Sequence, residues 1–138
     1  MNQFSLNILL IGFLSLIACH STLADYIDGE EANAKGDRQT AFQEFYAAAH
    51  EKDIRAYGKL GSMYLYGLGT KKDYHQAYIW FHMAYLAGER EPERFRDAAS
   101  SMMTREQYLK AVDDAEIERL NQGLGTAPPQ QMPPGMKK

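Results

Sequence analysis

The chain has a single cysteine, Cys19, so no disulfide can form within its 138 residues and the fold has to be held by packing. It has no excess of base either. The formal net charge is −3, and the first 24 residues contain no Lys, Arg, Asp or Glu, so that charge belongs wholly to the residues that follow. Nucleic-acid binding through a basic face is therefore not expected. Long apolar runs are also missing. Phe4 to Ala18 is too short for a comfortable membrane span, which needs about 20 residues. No HExxH or comparable ligand spacing occurs, and the sequence leads us to expect no metal and no cofactor.

What the N-terminus does have is a run the size of a secretory signal core, although the MNQ before it carries no Lys or Arg. Two processing sites compete behind it. Thr22-Leu23-Ala24 puts a small residue in front of the polar Asp25, which makes residues 1–24 a signal peptide. Leu16-Ile17-Ala18-Cys19 resembles the lipobox of bacterial lipoproteins, which makes residues 1–18 the signal and Cys19 the lipidated end. A cut at Cys19 leaves only a short tether before the fold, and membrane association is expected only through that lipid. Residues 25–122 form the expected domain. From Gly123 onward, GLGTAPPQQMPPGMKK has two Pro-Pro pairs, glycines and glutamines that deny both helix and strand, so 123–138 reads as a disordered tail.

Between these ends the chain is helical and repetitive. Asp53 can cap a helix over Ile54 to Tyr66, which Gly67 ends. At 100° per residue Ala56, Leu60, Met63 and Tyr64 share one face, with Tyr57 at its edge, while Arg55, Lys59, Ser62 and Tyr66 share another. Gly58 and Gly61 each weaken this helix by about 1 kcal/mol relative to alanine, which points to close approach by a neighbouring helix. Asp73 caps a second helix that runs to Ala87 before Gly88. Its Ala77, Phe81 and Ala84 form a small-large-small seam, and Trp80, Tyr74, Tyr78 and Tyr85 widen it. Ile79, Met83 and Leu86 add apolar groups on the other side, so this helix has to be covered on more than one side, which implies flanking repeats and also raises self-association as an expectation.

Upstream the same unit recurs with a tighter turn at Gly36-Asp37. Gly29 aligns with Gly61, and Ala41, Phe42, Phe45 and Ala48 align with Ala77, Tyr78, Phe81 and Ala84. The expected helices are Asp25 to Lys35 and Asp37 to Glu51. A more degenerate pair follows: Glu93 to Met103 after Pro92, then a helix opened by a Thr104/Gln107 capping box and ending near Gln122. Three pairs is about the minimum at which stacked repeats become self-sufficient.

The pattern Ala56-x3-Leu60-Gly61-x-Met63-Tyr64-x2-Gly67-x-Gly69-Thr70-x2-Asp73-x3-Ala77-x2-Trp80-Phe81-x2-Ala84-x3-Gly88 resembles a Sel1-like repeat, a relative of the tetratricopeptide repeat. The resemblance implies an all-α fold, a short right-handed α-solenoid of about three helix-turn-helix units. It further implies an adaptor that binds protein or peptide, in bacteria often exported and tied to envelope assembly or host contact, and it implies no enzymatic activity.

Candidate chemistry is sparse. His75 and His82 share a helix face but stand about 10 Å apart along the axis, too far for one metal ion, and a small envelope enzyme or metal-binding protein built on them is the rival reading. The carboxylates of Asp97, Asp113, Asp114, Glu116 and Glu118 fit a solvated helix face. A self-assembling structural lipoprotein held by Cys19 is a further alternative. For binding, the first helix of each pair lines the concave side of such a solenoid. That selects Arg55, Lys59, Ser62 and Tyr66 in the middle unit, flanked by Ile27, Glu30 and Ala34 before it and by Glu93, Asp97 and Ser100 after it. The result is a groove with a basic and aromatic centre and an acidic end, suited to an extended polypeptide.

Overall fold

The computed structural model describes residues 22–89 and 91–126. The apolar run, Cys19 and most of the expected tail lie outside the described residues. Among those described there are six helices and no strand: α1 (Thr22–Ala34), α2 (Arg38–His50), α3 (Arg55–Tyr66), α4 (Tyr74–Leu86), α5 (Pro92–Ser101) and α6 (Arg105–Gln122). The chain is a short helical solenoid. None of these helices is long and apolar enough to cross a membrane.

Polar caps set the helix starts. Thr40 N–H donates to Asp37 Oδ1 at 3.1 Å, Gln76 N–H donates to Asp73 Oδ1 at 3.0 Å, and Thr104 and Gln107 complete a reciprocal capping box. Asp53 acts one residue further from its helix than expected. Ile54 lies at the boundary, while Asp53 takes the Arg55 N–H at 3.1 Å. At the other ends, α3 and α6 stop on Gly67 and Gly123 in the left-handed conformation, as their positions predict.

α1 packs on α2 and α3 on α4 as hairpins, and α2 against α3 joins the two units. The repeat is visible in one contact made twice. A Cβ on Gly29 would lie 2.8 Å from the ring of Phe45, and a Cβ on Gly61 would lie 2.9 Å from the ring of Phe81. The missing side chain lets each hairpin close over its own phenylalanine. Gly58, expected to serve the same purpose, faces the Glu89 carboxylate instead of a helix. Gly69 has φ +71°, and a Cβ there would fall 1.8 Å from the Arg38 carbonyl oxygen, so the long α3–α4 loop is seated on the first turn of α2.

The third pair departs from the hairpin pattern. α5 and α6 both lie against α4 and hardly touch each other. Phe95 of α5 stacks on Phe81 at 5.4 Å, and Tyr108 of α6 meets Tyr78 edge-on at 5.6 Å. Tyr57 of α3 donates its hydroxyl to Gln122 Oε1 of α6 at 2.8 Å inside the core. This cover is the flanking cover expected for α4, and it corrects the alternative of self-association through Ile79 and Met83, which are buried at 6% and 0% exposure, while Leu86 stays partly exposed.

Candidate functional site

On the side built from the first helices, a concavity of about 410 Å³ opens between α1, α3 and α5. Tyr26, Arg55, Lys59, Ser62, Glu89 and Phe95 are among the residues that line it. Arg55 is held on two sides. Its guanidinium donates to both Asp53 oxygens, at 2.9 and 2.5 Å, and lies 4.4 Å from the ring centroid of Tyr26. These bonds draw the Asp53 carboxyl below its ordinary range, mainly through the side-chain hydrogen bond from Arg55.

Lys59 reaches across to α1 and pairs with Glu30 at 2.8 Å, both side chains being close to half exposed. The Glu30 Oε1 atom on this contact is itself buried and has no partner of hydrogen-bond geometry, so the ion pair is worth no more than about 0–1 kcal/mol. Ser62 is turned inward, donating its hydroxyl to the Gly58 carbonyl at 2.9 Å. Glu89, on the turn between α4 and α5, folds its carboxylate back over Gly58. Burial raises its pKa, opposed by a backbone hydrogen bond at Gly58 and by the charge of Lys59.

Of the residues singled out from the sequence, Arg55, Lys59, Ser62 and Glu30 therefore converge. Tyr66 and Asp97 do not join them. Tyr66, 57% exposed, stands at the far end of α3 outside this concavity. Asp97 lines a separate shallow depression with Glu91, Glu93 and Arg94, and bonds to Arg96 at 3.2 Å. Ser100, placed in the groove by periodicity, is buried and donates to the Asp97 carbonyl. α5 packs mainly on α4 and barely touches α3, so offsets carried across from the middle unit fail there. The residues that sequence reasoning missed, Tyr26, Glu89 and Phe95, come from an aromatic on the preceding unit, a turn and the irregular pair. The alternation of the repeat marks none of them.

The histidines occupy unrelated settings. His75 Nε2 sits 2.8 Å from Asp114 Oδ2, which also takes Lys110 Nζ at 2.9 Å. His82 is buried between Tyr78 and Tyr85, and burial, with a smaller contribution from Arg96, pushes its pKa down to about 4. Among the described residues no three His, Cys, Asp or Glu side chains gather in a way that would hold a metal ion.

Comparison with known proteins agrees with this architecture. Residues 54–89 match the Sel1 repeat family model. Over 43 residues the chain is 54% identical to an uncharacterised Sel1-like repeat-containing protein of Schizosaccharomyces pombe, a stretch that spans 30% of this chain and 6% of that relative. No solved structure matches the chain.

Proposed function

We propose, taking the Sel1 repeat at residues 54–89 as the premise, that the chain is an interaction module whose α1–α3–α5 concavity grips an extended segment of a partner polypeptide, with no bond made or broken. The observation that carries this reading is the pair of cations at the concavity. Arg55 is pre-oriented by Asp53 and Tyr26, and Lys59 is tied only by an ion pair to Glu30 that lacks hydrogen-bond geometry. Two cations beside an apolar wall of Tyr26 and Phe95 suit a segment that alternates a carboxylate with an apolar side chain.

Affinity capture with wild-type protein, an Arg55→Ala/Lys59→Ala variant and a Tyr66→Ala variant tests this. A partner lost from the double variant and kept by Tyr66→Ala supports the reading; retention by all three overturns it. The setting we propose is an exported protein of a cell envelope, supported by the apolar run Phe4 to Ala18 and the two processing sites behind it. Mass spectrometry of the N-terminus of the cellular protein separates a lipid-modified Cys19 from a free Asp25. An intact Met1 sinks both.

A further inference from the structure

A second groove lies on the layer of second helices. Its walls are α2, with Tyr46 and His50, and α6, with Asp114 and Glu118; its floor is α4, with Trp80. Its volume is about 460 Å³. Two independent features mark it. The first is Trp80, the one tryptophan of the chain, which is 3% exposed and packs 5.4 Å from His50 and 5.8 Å from Tyr57. Its buried indole Nε1–H has no hydrogen-bond partner among the described residues. An unmet buried donor is uncommon in folded proteins, and this one belongs to a residue that lines the groove.

The second feature is charge. The groove is lined by Asp73, Asp114 and Glu118 and by no Lys or Arg among the described residues. Asp114 already holds Lys110 and His75. Glu118 accepts only from the neutral Gln122 amide at 2.6 Å, Asp73 accepts the Gln76 backbone N–H, and neither forms an ion pair among the described residues. Beside these carboxylates stand aromatic faces: Tyr46 stacked on His50 at 4.1 Å, and Tyr64. Carboxylates and ring faces together attract an alkylammonium or guanidinium.

We infer that this groove binds a basic segment of a partner polypeptide. A lysine or arginine side chain extends over the Tyr46 and His50 rings to Glu118, and the peptide main chain lies along the groove that Trp80 lines. The surface is distinct from the concavity that holds Arg55 and Lys59, and the two readings stand or fall separately.

Trp80 itself reports the test. The chain is titrated with a capped hexapeptide of alternating lysine and serine, and with one of alternating glutamate and serine, while tryptophan emission is followed. A saturable change with the lysine peptide alone is expected. Glu118→Gln should weaken binding about tenfold, since the ammonium then loses a charged acceptor. Asp97→Asn, which removes the same charge outside the groove, should leave the affinity unchanged, as should Arg55→Ala/Lys59→Ala. Trp80→Phe, followed by anisotropy of a labelled lysine peptide, should weaken binding several-fold while circular dichroism stays native. If Glu118→Gln fails to fold, the wild-type chain titrated with the same peptide carrying acetyl-lysine takes its place, and the same loss is expected. The inference is overturned by equal responses to the two peptides, by no saturable change, or by equal losses in Glu118→Gln and Asp97→Asn, which would mean diffuse attraction to a net-negative chain.

Discussion

At the scale of the residue, two glycines three positions apart in α3 have opposite roles. A Cβ at Gly61 would press on the Cδ1 and Cγ atoms of Phe81, a ring fixed in the core and stacked on Phe95. Gly61→Ala should therefore destabilise the protein by about 1–3 kcal/mol despite its better helix propensity. At Gly58 the obstacle is the end of the Glu89 side chain, which can swing aside. Gly58→Ala should gain up to about 1 kcal/mol, and urea denaturation midpoints of the two variants should move in opposite directions. His82 gives a pH signature. In the unfolded chain it binds a proton near its ordinary 6.5, whereas the native protein refuses it until about pH 4, so protons favour unfolding in that interval. Its contribution is complete above about pH 6.5 and declines as the pH falls, by about 2 kcal/mol at pH 5. The raised carboxyls of Glu44 and Glu89 act in the other direction. Urea midpoints measured across this range for wild type and His82→Gln isolate the histidine: the variant should lose most of the slope, and equal slopes would refute the assignment.

At the scale of the element, the two regular hairpins differ at their closing turns. After α4 the chain reverses on Gly88 at φ +93°, and Glu89 N–H donates to the Ala84 carbonyl at 3.1 Å. After α2 the equivalent place is held by Lys52 at φ +69°, the one described residue other than glycine with positive φ, and Asp53 N–H donates to the Ala48 carbonyl at 2.9 Å. The hydrogen bonding is the same, but Lys52 bears the steric cost of a Cβ in left-handed backbone, about 1 kcal/mol. Lys52→Gly should raise the melting temperature by a few degrees, and an unchanged or lower value in differential scanning calorimetry would show that the turn carries no such strain. Capping at Asp73, Thr104 and Gln107 was readable in advance, because these side chains act on backbone groups within three residues of themselves, whereas Asp37, expected as the first residue of its helix, proves to be that helix's cap.

At the scale of the whole molecule, α4 is apolar nearly all round and the other helices are arranged to cover it. α5 and α6 shield Tyr78, Ile79, Phe81 and Met83. Exposing these four side chains costs about 1.5–3 kcal/mol each, which is comparable to the whole stability of an ordinary domain, about 5–15 kcal/mol. A chain ending before Pro92 should therefore lose cooperative unfolding and self-associate. A truncated protein that stays monomeric in light scattering and keeps native near-ultraviolet circular dichroism would show that the first two hairpins stand alone.

The helices, their caps and the pairing of Gly29 with Phe45 and Gly61 with Phe81 were fixed by local spacing, since hairpins are made of contacts between residues close in the chain. The faces of α3 followed from the same periodicity, which is why Arg55, Lys59 and Ser62 were found together. Only the tertiary structure decided how α5 and α6 turn away from each other onto α4, because that depends on which aromatic rings meet across distant segments, Phe81 with Phe95 and Tyr78 with Tyr108. That packing buries Ile79 and Met83, moves Asp97 and Ser100 out of the first concavity and builds the wall opposite Trp80, and no repeat period encodes it.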